Sequence, residues 1–150
     1  KEYKMRGSIR IYVNRETKGI YSLKEYKTQV GFWRVMGNLV SVSRNNLKES
    51  ILIGIKESLD SYEKTIEKTD PFRQSPYKTW NRFFKYHDSI SCEYYVQTKE
   101  YRIALKIRDE KTHSYGSPLP GCEFTLTENE FDEKFDEIMD FLINKVKMIK

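Results

Sequence analysis

The stretch from Ile90 to Arg108 reads ISCEYYVQTKEYRIALKIR, and its second half carries the clearest strand signal in the chain. Tyr101, Ile103, Leu105 and Ile107 alternate with Arg102, Ala104, Lys106 and Arg108, which gives an extended segment one apolar face and one solvated face. Ile90 to Gln97 is a second strand-like run, and Thr98-Lys99 between the two predicts a hairpin. An antiparallel sheet is therefore the frame into which the rest of the chain has to fit.

Upstream, Ile9, Ile11 and Val13 alternate with Arg10 and Tyr12 in a first strand, and Gly19 marks a turn or bulge. Ser22-x-x-Glu25 has the form of a helix-initiating capping box. However, Thr28, Val30, Phe32, Trp33 and Val35 favour extended structure, and Gly31 and Gly37 punctuate it, so strand is preferred. Leu39 to Ser43 predicts a short strand leading into a helix, with Asn46 as cap and Glu49 reaching back to it. Leu47, Ile51, Ile55, Leu59, Tyr62 and Ile66 then share one helical face, predicting a helix over 47–66 that Asp70-Pro71 and Ser75-Pro76 bring to an end.

Downstream of the hairpin, Gly116, Pro118, Pro120 and Gly121 predict a long loop over 109–122, followed by the short strand Glu123 to Leu126. Thr127-x-x-Glu130 caps a final helix over 128–148, whose Phe131, Phe135, Ile138, Leu142 and Val146 form a stripe to be buried. Its acidic first turns and the closing Lys145, Lys147 and Lys150 complement the helix dipole. No internal repeat is visible. The prediction is one α+β domain over 1–150, a mostly antiparallel sheet packed against two main helices.

A chain of 150 residues buries roughly 70% of its unfolded surface on folding, enough for a core without staples. Aromatic residues make up 14% of it, which compensates for a hydrophobic content of only 38%. Cys92 and Cys122 lack the spacing of a zinc or redox motif, and both a disulfide and two free thiols remain open. No apolar run approaches the roughly 18 residues of a membrane span, and Lys1-Glu2-Tyr3-Lys4 opens the chain without an apolar signal core, so the expected location is the cytoplasm.

Three function classes can be weighed. For catalysis the parts are few: His87 and His113 are the only histidines, and no GxSxG, HExxH, P-loop or GxGxxG stands in the chain. His87 and Asp88, adjacent on a strand, point to opposite faces and cannot orient one another for base catalysis with Ser91 or Cys92. No catalytic residue, metal site or cofactor is predicted. For nucleic-acid binding, Lys78, Trp80, Arg82 and Lys85 interleave cations with aromatics, as a single-strand platform does, although Trp80, Phe83 and Phe84 suit a core equally well. For protein binding, Asp132, Glu133, Asp136, Glu137 and Asp140 recur at three- and four-residue spacing opposite the apolar stripe and would steer a basic partner. His113 and Tyr115, in the Gly/Pro-rich segment, are the anchors this reading nominates. Charge follows the same division. Residues 1–48 carry 11 Lys/Arg against 3 Asp/Glu, and residues 123–150 carry 4 against 8, within a net charge of +5.

The order of an N-terminal strand, Gly31-Phe32-Trp33, a strand running into the helix from Leu47, a mid-chain hairpin and an acidic C-terminal helix resembles the immunity proteins of contact-dependent growth inhibition and related polymorphic toxin systems. That resemblance implies a bacterial cytoplasmic inhibitor that binds one cognate toxin domain, often a nuclease, with no catalytic residues to carry over. The chain departs from many nuclease-directed members in being basic overall. Either its acidic helix meets a local basic cleft, or its basic N-terminal half meets an acidic toxin surface.

Overall fold

The computed structural model describes residues 5–64 and 68–146. Strands β1 (Arg6–Asn14), β2 (Ile20–Lys27) and β3 (Trp33–Val42) form a meander that a 3-10 turn, Arg44–Asn46, connects to α1 (Leu47–Asp60). A short helix, α2 (Trp80–Tyr86), leads directly into β4 (His87–Tyr95), β5 (Glu100–Asp109) and β6 (Ser114–Thr127), and α3 (Glu128–Lys145) follows. The six strands form one sheet in the order β3-β2-β1-β4-β5-β6, every pairing antiparallel. The architecture is thus three strands and a helix, stated twice and joined along β1 and β4. No repeat in the sequence announces this, because the two units share topology without sharing residues.

Alternation along the strands explains which face the long helices cover. Ile9, Ile11 and Val13 of β1 meet Ile90 and Cys92 of β4 and Ile103 and Leu105 of β5 on one face. Leu47, Ile51 and Ile55 of α1 and Phe131, Phe135 and Met139 of α3 close over them. Contact between α1 and β1 is tight at Gly7, where a Cβ would stand 2.6 Å from the Ile55 carbonyl oxygen.

On the opposite face, α2 and the segment before it cover one end with a second cluster built on Tyr12, Leu23 and Phe83. The remainder of that face is a charged network. Arg10 donates to Glu25 at 3.0 Å and Arg6 pairs with Glu93 at 3.4 Å. Arg6 also lies over the rings of Trp33 and Tyr95, and Arg102 lies over the same Tyr95 ring, 4.6 Å from its centroid. Glu25 is only 6% exposed, and burial pushes its carboxyl above the usual range against the pull of Arg10.

Several expectations are corrected. Helix α1 stops at Asp60, with Ile66 outside the described residues. Glu63 takes a left-handed φ of 60° and its N–H donates to the Lys27 carbonyl, so the end of β2 captures the chain before the helical period runs out. The Asn46 side chain forms no cap bond, because the 3-10 turn occupies the entry to α1. The predicted loop over 109–122 is largely strand: only its first residues turn, and β6 begins at Ser114. Pro118 and Pro120 are tolerated because β6 is an edge strand whose outer side has no ladder to complete. Shifts in the β5–β6 register, at Ala104/Lys106 and Lys106/Arg108, absorb the irregularity. Ile107, expected on the apolar face, is 42% exposed beside these shifts.

Cys92 and Cys122 are free and buried. They stand on β4 and β6 with β5 between them, about 9.6 Å apart at the spacing of paired strands, farther than a disulfide spans. Among the described residues no helix is long and apolar enough to cross a membrane.

Candidate protein-binding surface

Helix α3 is fixed at its start by the residues the sequence singled out. The Thr127 hydroxyl accepts from the Glu130 N–H at 3.2 Å, and the Glu130 carboxylate accepts from the Thr127 N–H at 2.9 Å. The stripe of Phe131, Phe135, Ile138, Leu142 and Val146 is buried, so Asp132, Glu133, Asp136, Glu137 and Asp140 are left facing outward.

These five carboxylates do not form one uniform surface. Asp132 pairs with Lys48 at 3.0 Å, and Arg44 bridges Asp136 at 3.3 Å and Asp140 at 3.0 Å. The flank of α3 toward α1 is therefore partly neutralised by cations of the basic N-terminal half. Glu133 and Glu137 make no ion pair among the described residues, and the negative surplus lies with them.

On the flank toward β6 a cleft of about 490 Å³ opens between α3 and the edge strand, walled by Phe124, Leu126, Ile138 and Phe141 with Lys134 and Glu137. Phe124 and Phe141 meet edge to face, ring centroids 6.0 Å apart, and Phe141 is 40% exposed. An apolar floor beside charged walls has the anatomy of an interface centre and rim. Sequence reasoning missed both rings. Phe141 carried a legible signal, since it falls off the buried stripe onto the acidic face.

The two proposed anchors lie elsewhere, at the β5–β6 turn and the start of β6. His113 is exposed with φ 52°, its Nδ1 lies 2.7 Å from Asn81 Oδ1, and its carbonyl accepts from the Trp80 indole N–H. Tyr115 is half-buried against Tyr12, Trp80 and Phe84, and its hydroxyl donates to the His87 carbonyl. Burial pushes that hydroxyl upward in pKa. Tyr115 is thus engaged in packing, and neither residue joins the cleft at α3.

The basic aromatic stretch also separates. Phe83 and Phe84 are buried, and Trp80 is half-buried with its ring 4.9 Å from Phe72. Lys78, Arg82 and Lys85 remain exposed. The cations could meet phosphates, but the rings that would stack on bases are occupied inside.

His87 is fully buried at the junction of α2 and β4. Its ring stacks on Phe83 at 3.9 Å, and Nδ1 lies 2.9 Å from the Phe83 carbonyl, which accepts its proton and leaves Nε2 bare. Desolvation, joined by the charge of Arg108, lowers its pKa to about 4 against the hydrogen bond to Phe83. This is a packed imidazole held neutral. Among the described residues, no group of three His, Cys, Asp or Glu is placed to hold a metal ion.

No protein-family model matches the chain, and no curated protein matches it in sequence. In fold it is similar to a protein of unknown function from Neisseria meningitidis, with a TM-score of 0.59 and 8% identity over 98% of this chain and 99% of that one. It is also similar to a chain of the CdiA-CT/CdiI toxin and immunity complex from Yersinia pseudotuberculosis, with a TM-score of 0.55 and 15% identity over 95% of this chain and 98% of that one. At these identities the likeness is one of fold.

Proposed function

We propose that the chain is an immunity-type inhibitor, a bacterial cytoplasmic protein that binds one cognate toxin domain stoichiometrically and blocks it without chemistry of its own. The observation that carries this reading is the α3–β6 surface, where an apolar cleft with the exposed Phe141 ring over the half-buried Phe124 adjoins the unneutralised Glu133 and Glu137. The fold shared with a chain of a toxin and immunity complex supports it. A partner with a basic cleft, of the kind a nuclease needs for its phosphate backbone, is complementary to this surface despite the chain's net charge of +5.

Affinity capture from the native lysate with and without nuclease, followed by co-expression of the captured domain, tests the proposal. A nuclease-resistant partner whose toxicity the chain suppresses is expected. Phe141→Ala should weaken that complex at least tenfold, as truncation of an interface anchor does. The reading fails if Phe141→Ala and the pair Glu133→Lys and Glu137→Lys all leave affinity unchanged. Nucleic acid recovered in place of protein, and lost on substituting Lys78, Arg82 and Lys85, would instead support phosphate contact through α2.

A further inference from the structure

Helix α3 carries two ridges of carboxylates, and the fold uses one of them. Asp132, Asp136 and Asp140 recur at four-residue spacing on the flank that faces α1, where Lys48 and Arg44, themselves four positions apart, pair with all three. One position further on, Glu133, Glu137, Phe141 and Lys145 form a second ridge at the same spacing, and all four are exposed. Glu137 and Phe141 wall the cleft of about 490 Å³ beside β6. Because β6 is the edge of the sheet, this flank of α3 has no neighbouring helix among the described residues.

The outer ridge is positioned without being covered. Phe124 meets the Phe141 ring edge to face, and Lys145 Nζ lies 5.2 Å from its centroid, yet the ring stays 40% exposed. Lys134, the cation that walls the cleft, stands 3.9 Å from Glu130, so its charge is directed at a carboxylate outside the ridge. The strand on the other side is a poor template for an added strand. Pro118 and Pro120 offer no N–H, and Gly121 takes a left-handed φ of 78°, which interrupts the regular edge. An occupant of this cleft therefore has to bind through side chains.

We propose that the cleft receives an amphipathic helix of the protein partner, laid along the outer flank of α3 as α1 lies along the inner one. The inner flank supplies the pattern: cations four positions apart on a neighbouring element meet carboxylates four positions apart on α3. On the outer flank the partner's helix brings two Lys or Arg at that spacing to Glu133 and Glu137. An apolar side chain one turn further along reaches Phe141 and Phe124 inside the cleft. Anchors at four-residue spacing are how an amphipathic helix reads a groove, and the paired charges fix its register. This names the chemistry of the partner at the α3–β6 surface and rests on the reading of that surface as protein-binding.

The probe is a synthetic amphipathic peptide of about 18 residues, long enough to become helical when bound, with two lysines at four-residue spacing and leucine and tryptophan completing the same stripe. A second peptide carries glutamates in place of the two lysines. Each is titrated into the whole isotope-labelled protein and followed by backbone amide NMR shifts and by circular dichroism. Saturable shifts centred on Phe124, Glu133, Glu137 and Phe141, with a gain of helical signal, are expected for the lysine peptide. The glutamate peptide should bind at least tenfold more weakly, and Phe141→Ala should weaken the lysine peptide to a similar degree. Glu133→Lys combined with Glu137→Lys should reverse the preference between the two peptides, a readout that loss of folding cannot imitate. Shifts that are absent or centred elsewhere, equal affinity for both peptides, an unreversed preference, or binding without helical signal overturns the proposal. Its failure is distinct from that of the inhibitor reading. A captured toxin domain together with peptides that do not bind removes the helix site alone, whereas peptides that bind as expected and a lysate that yields no toxin remove the inhibitor alone.

Discussion

His87 shows how one side chain ties stability to pH. Its pKa is about 6.5 when unfolded and about 4 in the fold, so the unfolded chain binds the extra proton between those values. A depressed pKa means the contribution is complete above pH 6.5 and is lost as pH falls through 4. The loss amounts to about 3 kcal/mol at 1.36 kcal/mol per pKa unit. Urea midpoints measured from pH 7 to pH 4 should fall in the native chain, and His87→Gln should flatten that fall; identical slopes would show that the imidazole is not the group responsible. At this scale the sequence was partly readable. Strand alternation already separated His87 from Asp88, but the stacking partner Phe83 lies on α2, across a helix-to-strand junction that neither period describes.

Elements were legible where their causes are local. Helix α3 carries its capping box, its stripe and its terminal charges within its own sequence; the box, the stripe and Lys145 stand in the structure, whereas the helix ends at Lys145, short of the expected 148, and Lys147 and Lys150 lie outside the described residues. Thr127→Ala should therefore cost about 1 kcal/mol, the usual worth of a side-chain cap, and thermal unfolding monitored by circular dichroism measures it directly. No change in stability would mean that packing alone sets the start of the helix. The end of α1 and the extent of β6 were not legible, for a shared reason. A carbonyl of Lys27, distant in sequence, terminates the first, and position at the edge of the sheet makes prolines acceptable in the second.

For the whole molecule, the charge asymmetry seen in the sequence is partly consumed within the fold, because Arg44 and Lys48 of the basic half pair with three carboxylates of the acidic helix and offset two of their three charges. What remains for a partner is concentrated at Glu133 and Glu137. Their reversal to Lys should slow association with the proposed basic partner and reduce its dependence on salt, leaving dissociation nearly unchanged. Stopped-flow rates at two ionic strengths decide this, and an unaltered association rate would remove these two residues from the encounter surface. The candidate site was thus half legible. Periodicity revealed the carboxylates, whereas the cleft beside them required knowing that β6 is a long strand lying along α3.

The union of the two three-stranded units along β1 and β4 has a kinetic consequence. Each meander can close through short connections, but the ladder between them joins residues as distant as Arg6 and Tyr95, 89 positions apart. Closing that span is entropically the most expensive step, so the barrier to folding lies where two partly formed halves meet. Ile11 and Ile90 face one another on this ladder, both fully buried. Ile11→Val should slow refolding in a chevron measurement, whereas Thr127→Ala should appear mainly as faster unfolding. The reverse assignment would mean that α3, rather than the central ladder, nucleates the fold.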